Sequence, residues 1–114
     1  MALHVRCSDP AGVLQAFKDL IESNRVVTWI IDSDGDFTHA TKQWINLAWM
    51  RPQVEQTELV FNMIRNTQVV VTSELYAIYH GRLAESLLAH LDTRIDQCRL
   101  SSMPEHGDRI TTVS

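Results

Sequence analysis

The chain has 114 residues, the size of one domain built around one hydrophobic core. An apolar fraction of 45% beside 21% charged residues excludes a largely disordered polymer. Ten basic against fourteen acidic residues give a formal charge of −4 with no basic stripe, which argues against DNA or RNA as a partner.

Residues 2–7, ALHVRC, alternate as a half-buried strand does, with Leu3, Val5 and Cys7 on one side and His4 and Arg6 on the other. A helix is predicted next, over SDPAGVLQAFKDLIESN. Ser8 or Asp9 caps its free N–H groups, and Pro10 suits the first helical position. Val13, Leu14, Phe17, Leu20 and Ile21 recur at helical spacing, and Asn24 tolerates the left-handed conformation that ends a helix. RVVTWIID, rich in β-branched and aromatic residues, reads as a strand.

Asp32, Asp34 and Asp36 then alternate around Gly35 as the ligands of a calcium loop do. An EF-hand needs Gly at loop position 6 and Glu at position 12, between helices. Counted from Asp32, Gly35 falls too early and Gln43 stands where the glutamate belongs, between strands. The expectation is therefore a two-residue hairpin turn at Asp34-Gly35, both at positive φ, and no metal.

FTHATKQWINLAWM reads as mostly extended, with Ile45, Leu47 and Trp49 facing one way and Trp44, Asn46, Ala48 and Met50 the other. Pro52 interrupts it, since proline cannot donate to a sheet ladder. TELVFNMIRN resumes with Leu59, Phe61 and Met63 on one face, and TQVVVT is a further strand or the lead into the last helix. That helix is predicted from about Ser73 to Cys98, capped by Thr72 or Ser73 and weakened internally by Gly81.

These elements predict a single two-layer α+β domain over residues 1–100, followed by a flexible C-terminal tail over 101–114. An antiparallel sheet of about four to six strands carries both helices on one face, in the order β-α-β-β-β-β-α. No signal peptide or membrane-spanning run is recognisable, so the expected setting is cytoplasmic. Cys7 and Cys98 lack CxxC spacing and are expected as free thiols.

No phosphate loop or nucleophile elbow is present, so neither catalytic residues nor a cofactor are expected, and the reading leans against an enzyme. His80 falls near the middle of the last helix's apolar face, as a core histidine tied to a strand carbonyl or hydroxyl. His90 lies on a different face, too far round to chelate a metal with it. The alternative makes His80 part of a ligand pocket between helix and sheet, lined also by His39, Trp44 and Cys7, the last set just before a helix start that favours a thiolate.

The stronger signal is surplus apolar surface. Trp44 and Met50 fall on the second strand face, and Leu75, Ile78 and Tyr79 lie outside the main helical stripe. Together they predict an exposed patch of the kind that marks interfaces. The expected function is accordingly a protein–protein interaction module: an adaptor, a chaperone-like protein or an inhibitor of a partner. It is expected as a homodimer that also binds another protein, with no nucleic acid and no membrane.

Overall fold

The structure, a computed structural model, describes residues 2–105 and 107–109. The elements run β1 (Leu3–Arg6), α1 (Pro10–Glu22), β2 (Trp29–Ile31), β3 (Phe37–His39), β4 (Ala48–Val54), β5 (Glu58–Arg65), α2 (Ser73–Leu91) and β6 (Gln97–Leu100). They form the expected α+β fold, with one antiparallel six-stranded sheet in the order β2-β3-β4-β5-β1-β6. β1 therefore lies between β5 and β6, with Leu3 opposite both Phe61 and Leu100.

One face of the sheet is the core face. Leu3, Val5, Phe37, Ala48, Met50, Leu59, Phe61 and Met63 are buried on it, at alternate positions in β1, β4 and β5 as a strand period of two requires. Val13 and Phe17 of α1 and Leu75, Tyr79, Leu83 and Leu87 of α2 cover that face in the same core cluster. Phe37 joins the layers, its ring 5.5 Å from Phe17 and 5.7 Å from Phe61. α1 begins as its sequence prescribes, with Asp9 accepting from the Gly12 N–H and Pro10 in the first turn. It ends at Asn24, whose φ of 62° is the expected left-handed stop.

Three local expectations are corrected. The aspartate turn is not a two-residue hairpin at Asp34-Gly35. The Gly35 N–H bonds to the Asp32 carbonyl and the Asp32 N–H to the Asp36 carbonyl, which places Ser33 and Asp34 at the tip. Only Gly35, at φ 83°, takes the left-handed conformation there, forming a G1 bulge that Asp34 would have resisted.

FTHATKQWINLAWM is not one extended stretch. β3 stops at His39, and residues 41–47 make a helical turn in which the Trp44 and Ile45 N–H groups bond to Thr41 O. Asn46 at φ 61° closes it. The turn resets the alternation, so Met50 points into the core and Trp49 is half-buried on the other face. TQVVVT is the lead into α2, not a strand.

α2 ends at Leu91 rather than near Cys98. A 3-10 turn over Asp92–Arg94 follows, and Cys98 lies on β6 opposite Val5. Leu91 and Ile95 keep helical spacing and both are buried, but the open edge of β1 satisfies the backbone of residues 97–100 instead.

The described part of the segment after residue 100 is hydrogen-bonded back to the sheet and to α2. Asp108 accepts hydrogen bonds from Asn62 Nδ2, the Met63 N–H, the Tyr76 hydroxyl and the Glu105 N–H at 2.9–3.1 Å. Arg109 bridges to Ile64 in the sheet position beyond the start of β1. The rest of the predicted tail, residues 106 and 110–114, lies outside the described residues.

Candidate functional site

Packing of α2 across the β2–β3 end of the sheet leaves a cleft of about 410 Å³. Its floor is Trp29 and His39, directly opposite one another in the β2–β3 register. Their rings stack with centroids 4.9 Å apart and planes inclined at 22°. Thr41, Gln43 and Trp44 of the 41–47 turn form one wall. Arg82, Glu85, Ser86, Ala89 and His90 form the other, an i, i+3, i+4, i+7, i+8 face of α2.

The polar groups of this cleft are unevenly satisfied. His39 Nδ1 donates to the Thr28 carbonyl at 2.7 Å, which fixes the ring against the edge of β2. Arg82 and Glu85 pair at 3.6 Å, with side chains 54% and 71% exposed, so the rim ions are solvated and weakly coupled. Two buried atoms, Trp29 Nε1 and Thr41 Oγ1, have no hydrogen-bond partner among the described residues. Both belong to residues that line this one cleft.

Tyr79 fixes the 41–47 wall from below. Its buried hydroxyl donates to the Trp44 carbonyl and accepts from Thr38 Oγ1, which in turn accepts from the Asn46 N–H. Burial pushes the Tyr79 phenol above its usual value, so the hydroxyl keeps its proton and remains a donor.

Of the proposed pocket residues, the structure brings together His39 and Trp44 and leaves out His80 and Cys7. His80 is wholly buried on α2, and its Nδ1 donates to the Tyr76 carbonyl one helical turn back, at 2.7 Å. It is a core histidine, and this Nδ1 bond is to its own helix. Cys7 is buried at the end of β1, and its thiol points to the Val5 carbonyl at 3.5 Å. Burial, with the nearby Asp96 charge second, pushes that thiol up, so the expectation of a thiolate is corrected. Burial likewise raises Cys98, with Cys7 adding to it, and both cysteines are free.

The expected interface patch does not form as drawn. Met50, Leu75 and Tyr79 are buried in the core, and only Trp44 and Ile78 remain partly accessible. The cause is the 41–47 turn, which exchanges the facing of Trp49 and Met50, together with a buried arc on α2 wide enough to take in both Leu75 and Tyr79.

The three aspartates of the β2–β3 turn do come within 4.8 Å of one another. Two of the three carboxylates already have protein donors. Asp32 Oδ1 accepts from the Asp34 and Asp36 N–H groups, and Asp36 takes a bidentate Arg51 at 3.0 and 2.8 Å.

Trp29, Thr41, Arg82, Glu85 and Ser86 were not singled out by sequence reasoning, and His90 was weighed only as a metal ligand. The readable signal was the polar stripe Arg82, Glu85, Ser86, Ala89, His90 running opposite Leu83, Leu87 and Leu91. No protein-family model, curated protein or solved structure matches the chain.

Proposed function

We propose that the protein is a small-molecule-binding domain whose site is the cleft between α2 and the β2–β3 end of the sheet. The supporting observation is that one concave surface gathers the stacked Trp29 and His39 rings, the Thr41 and Trp44 wall and the α2 face of Arg82, Glu85, Ser86 and His90. The cleft volume of about 410 Å³ lies within the range of small-ligand sites, roughly 300–1,000 Å³. Binding is the whole of the proposal, because no nucleophile is hydrogen-bonded to His39 among the described residues. The cytoplasmic setting read from the sequence suits the two free thiols.

Native mass spectrometry of gently purified protein tests this reading. The expected spectrum carries a small-molecule adduct that disappears on denaturation and is absent from Ala89→Trp, which fills the cleft from its exposed rim. An adduct retained by Ala89→Trp, or an adduct-free wild type that small metabolites do not stabilise against heat, would overturn it.

A second reading, self-association, is favoured by a different observation. β2 is an edge strand, and Val27 and Ile30 beside its open backbone are 69% and 42% exposed. In the same spectrum it predicts a species at twice 13.0 kDa that Ile30→Lys abolishes. A monomer at every concentration sinks it.

A further inference from the structure

The sheet ends in β2 on one side and in β6 on the other, at the far end from the small-molecule cleft. Among the described residues no backbone hydrogen bond crosses the outer side of β6, so its N–H and C=O groups there can pair with a further strand. The register with β1 sorts the side chains that such a strand meets. Cys98 and Leu100 stand opposite Val5 and Leu3, on the helix-covered face. Gln97 and Arg99 stand opposite Arg6 and His4, on the face without helices. Each face has a recess beside β6. On the helix-free face Arg6 and Arg99 line a polar cleft of about 360 Å³ with Thr57 and Gln97. Both arginines are exposed, and neither guanidinium has an ion pair or hydrogen bond among the described residues. Glu58, the carboxylate in that cleft, is engaged by His4 Nδ1 at 3.2 Å, which leaves cationic charge to be matched from outside. On the helix side Ala77 and Gly81 of α2 line a mainly apolar cleft of about 290 Å³ with Leu100, itself 43% exposed. A Cβ on Gly81 would meet nothing within 4 Å, so the absent side chain leaves open space beside the helix.

We propose that the β6 edge docks an extended segment of another protein in which acidic and apolar residues alternate. Added as a seventh strand, the segment pairs its backbone with β6. Its carboxylates lie on the side of Arg6 and Arg99, and its apolar residues on the side of Leu100. Charge complementarity selects this occupant over a second copy of the chain. Pairing β6 with β6 about a twofold axis would put both copies' Arg6 and Arg99 on one shared face, like charge beside like charge.

The test uses the full chain, labelled with ¹⁵N at low ionic strength, and follows the backbone amide resonances of β6, with those of β2 as the control edge. The probes are the capped pentapeptide Glu-Val-Glu-Val-Glu, its counterpart Lys-Val-Lys-Val-Lys, the acidic peptide methylated on its backbone nitrogens, and glutarate as a free dicarboxylate. The expected result is that the acidic pentapeptide moves the β6 resonances and the other three probes do not. Arg99→Glu should weaken that peptide about 10-fold, an attraction lost and a repulsion gained, and admit the lysine peptide in its place. Gly81→Leu, at an exposed helical position, should also weaken it by filling the apolar cleft while the β6 amides keep their positions. An acidic peptide that binds Arg99→Glu as well as wild type overturns the choice of partner. Glutarate that moves the same resonances, or a methylated peptide that binds equally well, overturns strand addition. Shifts confined to β2, or silence at β6 with every probe, overturn the proposal outright. None of these outcomes bears on the small-molecule cleft, which has its own test.

Discussion

Tyr79 shows how much one hydroxyl can organise. It ends a run of hydrogen bonds from the Asn46 N–H through Thr38 to the Trp44 carbonyl, and so fastens the 41–47 wall to α2. Tyr79→Phe keeps the ring in the core but strands the Trp44 carbonyl and the buried Thr38 hydroxyl. It should lower stability by about 1–3 kcal/mol in chemical denaturation. The accompanying change in Trp44 fluorescence would mark the wall as the part released; an unchanged spectrum would show that the wall is held by other means. Gly12 is a second residue whose worth is local. A Cβ there would lie 2.0 Å from Asp9 Oδ2 and 2.7 Å from Arg94 Nη2, the groups that cap α1 and reach it from the turn after α2. Gly12→Ala is therefore expected to displace the cap and cost about 1 kcal/mol, despite alanine's better helix propensity.

At the scale of the element, α2 gives the opposite result for the same substitution. Gly81 sits mid-helix and exposed, and a Cβ there meets nothing within 4 Å. Gly81→Ala should stabilise the protein by about 1 kcal/mol, read as a rise in the denaturation midpoint. A fall would mean that the Ala77–Gly81 surface is in use. The two glycines look alike in the sequence, and only the fold separates them. Elements with a strong local code were legible in this way: Asp9-Pro10 and Asn24 bound α1, and the alternation of residues 3–7 and 58–63 identifies β1 and β5. What stayed hidden was decided by distant partners. Residues 97–100 carry no strong strand signal and become β6 because β1 offers an open edge. The 41–47 turn depends on Tyr79, some 35 residues away in sequence, for its anchoring bond. The cleft follows the same rule. His39 and Trp44 could be suspected alone, but their meeting with Arg82 and Ser86 is a product of packing.

At the scale of the molecule, the segment after β6 is clamped by charge as well as by Asp108. Glu105 accepts from Ser101 Oγ at 2.6 Å and faces His4 Nε2 at 3.0 Å, while His4 Nδ1 faces Glu58 at 3.2 Å. The Ser101 hydroxyl first, then His4, holds the Glu105 carboxyl down from its ordinary 4.5 to about 2. A carboxyl depressed by folding stabilises the folded state above its unfolded value and loses that contribution as pH falls through its folded one. Wild type should thus exceed Glu105→Gln in stability by a constant margin above about pH 5, with the margin closing between 4.5 and 2. Parallel acid titrations followed by circular dichroism would check this, and a margin that does not change with pH would dismiss the clamp. The strand order carries a further consequence, for the nascent chain. β1 pairs only with β5 and β6, so as the polypeptide leaves the ribosome its apolar Leu3 and Val5 have no sheet partner until residue 58 and beyond have emerged. The β2–β5 meander is complete by then, and β1, translated before it, is seated after it.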